Sequence, residues 1–134
     1  MSIDTALLAA AATAELEDWG LLEEATAEAM QTSGRTLWSS DDGGQDAGVW
    51  QCTAGPSYWV QEENEFVHIL SGSLTVTPDG GSPVQLGPGD TAVFPRGWRG
   101  RWELHETVRK VYVIFCEPRA RQPRARPRGR RSAG

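Results

Sequence analysis

Residues 55–72 read GPSYWVQEENEFVHILSG, and this stretch decides the fold. Two segments rich in aromatic and β-branched residues, 57–61 and 65–70, flank the polar triplet Glu62-Glu63-Asn64. That is the pattern of two strands joined by an acidic turn. Side chains alternate across a strand, so Trp59 and Gln61 are expected on one face, and Glu65 shares their parity.

Outward from this pair, strand signals recur at short intervals. They cover residues 35–38, 49–53, 73–77, 83–86, 91–94, 101–104 and 107–116. Gly and Pro punctuate them at Ser71-Gly72, Pro78-Asp79-Gly80-Gly81 and Gly87-Pro88-Gly89-Asp90. Residues 39–48, SSDDGGQDAG, read as a polar loop. Eight or nine short strands with tight turns predict an antiparallel sandwich or barrel. The last strand, TVRKVYVIFC, is long and β-branched, which suits a central place in its sheet.

The ends read differently. Residues 4–18, DTALLAAAATAELED, favour helix, with Asp4 or Thr5 as a cap and Gly20 as a stop. One or two helical turns are expected there, packed outside the barrel through Trp19, Leu21 and Leu22. From Pro118 the chain has seven Arg, three Pro and no acidic or large apolar residue, the composition of a disordered tail. The expected organisation is an N-terminal extension over 1–34, a β-barrel over 35–117 and a basic tail over 118–134.

Charge and cysteine content narrow the function classes. The first 117 residues carry 18 acidic and six basic residues, a net −12, and the tail carries seven basic residues and no acid, a net +7. An acidic body disfavours nucleic acid and anionic membrane as partners of the fold itself. Nucleic-acid contact through the tail is the alternative to a merely solvated tail, and the solvated reading is preferred. Cys52 and Cys116 form no CxxC pair and are expected to be reduced and partly buried. The apolar run at 7–12 is too short to span a bilayer and follows Asp4 rather than a basic segment. A cytoplasmic location is expected.

At Glu65 the pattern resembles a family, the single-domain cupins, whose fold is a jelly-roll barrel. Glu65 is followed by six residues and Gly72, as in the first cupin motif, and Gly89 by five residues and Pro95-Arg96-Gly97, as in the second. The phrase FPRGWRGRWELHETVRKVYV, at 94–113, resembles small cupins similar to the ureidoglycine aminohydrolase domain and, more distantly, the ethanolamine-utilisation cupin. The resemblance covers about 47–116 and implies a homodimer. It also marks where metal ligands would stand. The histidine positions fall on Trp59, Gln61 and Gly100, so only Glu65 of the four ligands remains. One carboxylate and one carboxamide suit Zn, Fe or Mn poorly.

The candidate site is therefore a small-molecule pocket without a metal or other cofactor. Glu65 is the candidate acid/base, since desolvation raises a carboxyl pKa. Trp59, Trp98 and Trp102 are candidate walls, and Gln61, Lys110 and Tyr112 candidate polar contacts to a small polar metabolite. Parity from Trp102 turns Lys110, Tyr112 and Glu106 inward and Arg109 outward. The plainer reading pairs Glu65 with a Lys or Arg across the barrel and leaves the Trp residues as core. His68, of opposite parity to Glu65, is read as structural. Two alternatives stay open: a metalloenzyme using Glu65, Gln61 and His105, and a non-enzymatic sensing or dimerisation module.

Overall fold

The computed structural model describes residues 4–116, so the expectations for the basic tail lie outside the described residues. Ten strands follow in order: β1 (Glu17–Leu21), β2 (Gln31–Ser39), β3 (Gln45–Cys52), β4 (Gly55–Val60), β5 (Asn64–Ser71), β6 (Leu74–Pro78), β7 (Val84–Leu86), β8 (Thr91–Phe94), β9 (Arg99–Leu104) and β10 (Val108–Phe115). They form a six-stranded sheet, β1-β2-β3-β10-β5-β8, and a four-stranded sheet, β4-β9-β6-β7, with every pairing antiparallel. The architecture is the all-β antiparallel fold expected from the turn pattern, in the two-sheet form that the resemblance implies. β10 lies between β3 and β5, the central place its β-branched sequence favours.

Between the sheets lies one apolar core. Trp102, Met30, Ile69, Leu74, Leu104, Val67, Val108 and Cys52 are essentially without solvent contact. They alternate with exposed neighbours along their strands, as the burial of Gly100, Trp102 and Leu104 in β9 illustrates. Each large apolar side chain so buried contributes roughly 1.5–3 kcal/mol.

The N-terminal segment corrects the sequence-based expectation. No helix occurs among the described residues; residues 9–13 form turns, and β1 begins at Glu17. Alanine has high helix propensity but offers little apolar surface to bury, so tertiary partners decide. Ala10 sits at φ 54°, which interrupts helical continuation. Arg109 Nη1 donates to the carbonyls of Ala11 at 2.8 Å and Ala14 at 3.0 Å, and Arg35 Nη1 to that of Glu15 at 3.0 Å. Those carbonyls serve as acceptors for side chains of the large sheet rather than for a helix. The connection between β1 and β2, 22–30, lies along β4: Thr26 N donates to Pro56 O, and Tyr58 N to Glu24 O. Leu22 packs on the core, while Leu21 is exposed.

Candidate functional site

The large sheet presents one continuous inner face. Its register aligns Asp46 of β3, Ile114 of β10 and Glu65 of β5 in a row, and then Trp50, Lys110 and Ile69 in another. Tyr112 stands between the rows, beside Gly48 and Val67. Trp59 and Gln61 approach from β4 and the residue after it, in the parity the sequence requires. Gln61 is fixed through its backbone, which accepts from Gly97 N and donates to Trp98 O, both at 2.8 Å. The Pro95-Arg96-Gly97 turn thus braces the acidic turn, and Arg96 N also donates to Asn64 Oδ1 at 2.9 Å.

A cavity of about 240 Å³ opens on this face. Trp50, Trp59 and Trp19 supply indole surface, and Glu65, Lys110 and Asp46 supply charge. Gln61, Tyr112 and Ile114 complete the lining. At its floor Lys110 Nζ donates to Glu65 Oε2 at 2.8 Å, and both side chains are buried. The ammonium also lies 4.4 Å from the Trp50 ring centroid and 4.5 Å from that of Trp102. Such contacts are cation–π interactions. Gln61 Nε2 donates to Glu65 Oε1 at 3.4 Å. The pairing of Glu65 across the barrel is therefore present, and the carboxylate lies within the cavity lining as well.

Lys110 and Tyr112 face inward and Arg109 outward, as parity indicates. Glu106 does not follow: it is exposed and accepts from Ser73 Oγ at 2.9 Å, because the 105–107 turn breaks the strand parity. The tryptophans divide. Trp59 lines the cavity, its Nε1 donating to Ser57 Oγ at 2.8 Å. Trp102 is 2% exposed and lies beneath the cavity, packed on Trp59 and Phe94. Trp98 stands outside the cavity lining and packs edge-on against Phe94, ring centroids 5.0 Å apart. His105 is exposed and bonded to Thr75 Oγ1 at 2.7 Å, away from Glu65, and His68 lies outside the cavity lining.

Three lining residues escaped the sequence reading. Trp19 is expected from the sequence as an anchor outside the barrel, and Asp46 lies in the segment that reads as a polar loop. Ile114 shares the parity of Lys110 and Tyr112, a signal already present in the sequence. Trp50, within the strand expected over 49–53, is a wall as well.

Titration behaviour reflects this setting. Burial, then the Asp46 charge, push the Tyr112 phenol up to about 12, and its hydroxyl donates to Asp46 Oδ2 at 3.3 Å. Burial likewise raises the Cys52 thiol to about 11, against the lowering effect of the Lys110 charge. Tyr112 is thus a neutral hydrogen-bond donor at ordinary pH.

The residues present do not fit the divalent metal that a cupin site implies. Both Glu65 oxygens face donors of the protein itself. Among the described residues no three His, Cys, Asp or Glu side chains converge. At Gly100, the remaining ligand position, a side chain would collide with the Thr77 carbonyl and the Trp98 ring. The Lys110 ammonium occupies the carboxylate that a metal would need.

Two antiparallel sheets enclosing a cavity, with the E-x6-G pattern along the β5 strand that lines it, define a cupin. Residues 39–112, more than half of the chain, match the EutQ-like cupin domain, and the chain belongs to that family. No curated protein matched. Among solved structures, a protein of unknown function from Pseudomonas syringae pv. tomato DC3000 is similar with a TM-score of 0.71 and 20% identity, over 78% of this chain and 46% of that one. The chain thus spans under half the length of that relative. The EutQ protein of Clostridium difficile is similar with a TM-score of 0.57 and 17% identity, over 65% of this chain and 69% of that one. A Rhizobium leguminosarum protein of unknown function gives 0.59 and 18%, over 87% of this chain and 100% of that one. At these identities the likeness is one of fold.

Proposed function

We propose that this chain is a small-molecule-binding cupin, with its site in the cavity between Trp50, Trp59, Glu65, Lys110 and Tyr112. The observation that carries this reading is the buried Glu65–Lys110 pair at the floor of an aromatic-walled cavity of about 240 Å³. A concave, mostly apolar site with a few convergent polar groups is the usual form of a metabolite site. The volume suits a ligand smaller than the drug-sized molecules that fill roughly 300–1,000 Å³. Trp102 supports the Trp50 and Trp59 walls from behind, and Trp98 packs on Phe94, outside the lining.

The reading is metal-independent, on the donor set described above. It needs no reaction: Glu65, Gln61 and Tyr112 orient a small polar metabolite, and acid/base chemistry at Glu65 would require Lys110 to exchange its partner during turnover. A homodimer, a cytoplasmic location and kinship to the ureidoglycine aminohydrolase group within the cupins belong to the same proposal and rest on the family resemblance.

The test is a thermal-shift and calorimetric screen of the full chain against small polar metabolites, repeated with Trp59→Leu. Saturable binding that Trp59→Leu weakens supports the reading. Binding that Trp59→Leu leaves unchanged, or metal taken up stoichiometrically at Glu65, overturns it.

A further inference from the structure

The charges around the cavity do not balance. Glu65 is matched by Lys110 at 2.8 Å. Asp46, in the same row of the sheet, has only neutral donors among the described residues: Ser39 Oγ at 3.0 Å on Oδ1 and the Tyr112 hydroxyl at 3.3 Å on Oδ2. Among the described residues no Lys, Arg or His forms a salt bridge with it. The lining therefore carries one uncompensated negative charge. An anionic ligand is disfavoured, since the Lys110 ammonium is 4% exposed, held by Glu65 and covered by two indoles. Its charge is already spent inside the protein.

The walls point the same way. Indole faces attract cations, and Lys110 already exploits this on Trp50. Trp59 and Trp19 offer further indole surface to the cavity. Trp19 is placed there by a specific device. The β1–β2 register shifts between Asp18 and Gly20, so Trp19 is the bulged residue, and bulges re-aim side chains. Its ring lies across Gly34, where a Cβ would run into it. Strand β1 lies outside residues 39–112, which match the family.

We propose that the cavity takes a small organic ammonium ion, its charge against Asp46 and its carbon substituents against Trp19 and Trp59. This rests on the reading of the cavity as a ligand site and names the ligand's chemical class.

Isothermal titration of the full chain with choline and with tetramethylammonium tests it, against 3,3-dimethyl-1-butanol (the neutral carbon counterpart of choline) and propionate. Choline is expected to bind at least about tenfold more tightly than the neutral alcohol, as a desolvated cation–π contact and a carboxylate together allow. Asp46→Asn should remove that preference. Trp19→Leu and Gly34→Val, the second displacing the ring without deleting it, should each weaken choline by about fivefold or more. Trp19 lies on an exposed edge strand, so Trp19→Leu keeps the test open should Asp46→Asn fail to fold. Equal binding of the neutral alcohol, preference for propionate, no binding of either ammonium ion, or full choline affinity in Trp19→Leu overturns the inference. A neutral or anionic metabolite found in the wider screen would leave the ligand-site reading standing while this one falls.

Discussion

Lys110 Nζ lies 2.8 Å from Glu65 Oε2, at the centre of the large sheet and between the rings of Trp50 and Trp102. Both side chains are buried, Lys110 4% and Glu65 9% exposed. Removing one partner leaves the other charged and buried, a change that costs about 3–5 kcal/mol, whereas replacing both by apolar residues is often neutral or stabilising by about 1–4 kcal/mol. Lys110→Met should therefore lower the unfolding free energy by about 3–5 kcal/mol, and Glu65→Leu with Lys110→Met should recover it. Urea denaturation of the two single variants and the double variant measures the coupling. Near-additive losses would show that the two side chains are independent.

Alkaline pH should destabilise the protein in a defined window. The Tyr112 phenol is raised from 10.0 to about 12, and the Cys52 thiol from 9.0 to about 11, both chiefly by burial. For each, the folded chain holds its proton at a pH where the unfolded chain has lost it. Their stabilising effect is thus complete below the unfolded values and is lost as pH rises through the folded ones. Two units at one site correspond to at most about 3 kcal/mol. Stability should fall from about pH 9 onward, and Tyr112→Phe should flatten the part between about 10 and 12. Denaturant midpoints from pH 7 to 11, with and without Tyr112→Phe, check this. A decline unchanged by Tyr112→Phe would place its origin elsewhere.

The fold was legible because its signals are local. Glu65-x6-Gly72, the Gly-Pro turns and the β-branched run at 108–115 each mark a strand or its end. Parity alone turned Lys110 and Tyr112 inward, because β10 pairs without interruption against β3. What stayed hidden depended on distant partners. The Ala-rich segment lost its helix to Arg109 and Arg35, which lie far along the chain. Trp19 entered the cavity wall through a bulge and through the absence of a side chain at Gly34. Asp46 was obscured by its polar neighbours, although it shares the parity of Gly48 and Trp50 along β3. Glu106 followed a parity that a turn had ended.

The two thiols should react very differently. Cys52 has no solvent contact and a thiol raised to about 11, while Cys116 is exposed, its Sγ donating to Gly44 O at 3.0 Å. Reactivity needs thiolate and access, and Cys52 lacks both. Under reducing pre-treatment, an aromatic disulfide reagent at pH 8 should label one thiol per native chain quickly and the second only on unfolding. Cys116→Ser should abolish the fast phase. Rapid labelling at Cys52 would mean that the core opens near Met30 and Leu104 far more often than its packing implies.

Arg109 ties the N-terminal segment to the outer face of the large sheet. Its Nε donates to Gln51 Oε1 at 2.9 Å, and its Nη1 to the Ala11 and Ala14 carbonyls. Charge-assisted hydrogen bonds of this kind contribute roughly 1.5–3 kcal/mol each where they are shielded, less at a partly exposed site. The segment has few other anchors, since most residues from 4 to 16 are exposed. Arg109→Ala should therefore raise amide exchange in residues 10–16 by about tenfold or more, while the β5–β10 core keeps its protection. Arg109→Lys should rescue this only in part, because one ammonium cannot span Gln51 and two carbonyls in the geometry of the guanidinium fork. Exchange measured by mass spectrometry on short peptides reads both regions at once. Equal exchange in the wild type and Arg109→Ala would show that Arg35 and the short β1–β2 ladder hold the segment without it, and loss of protection throughout β10 would show that Arg109 supports the sheet rather than the segment.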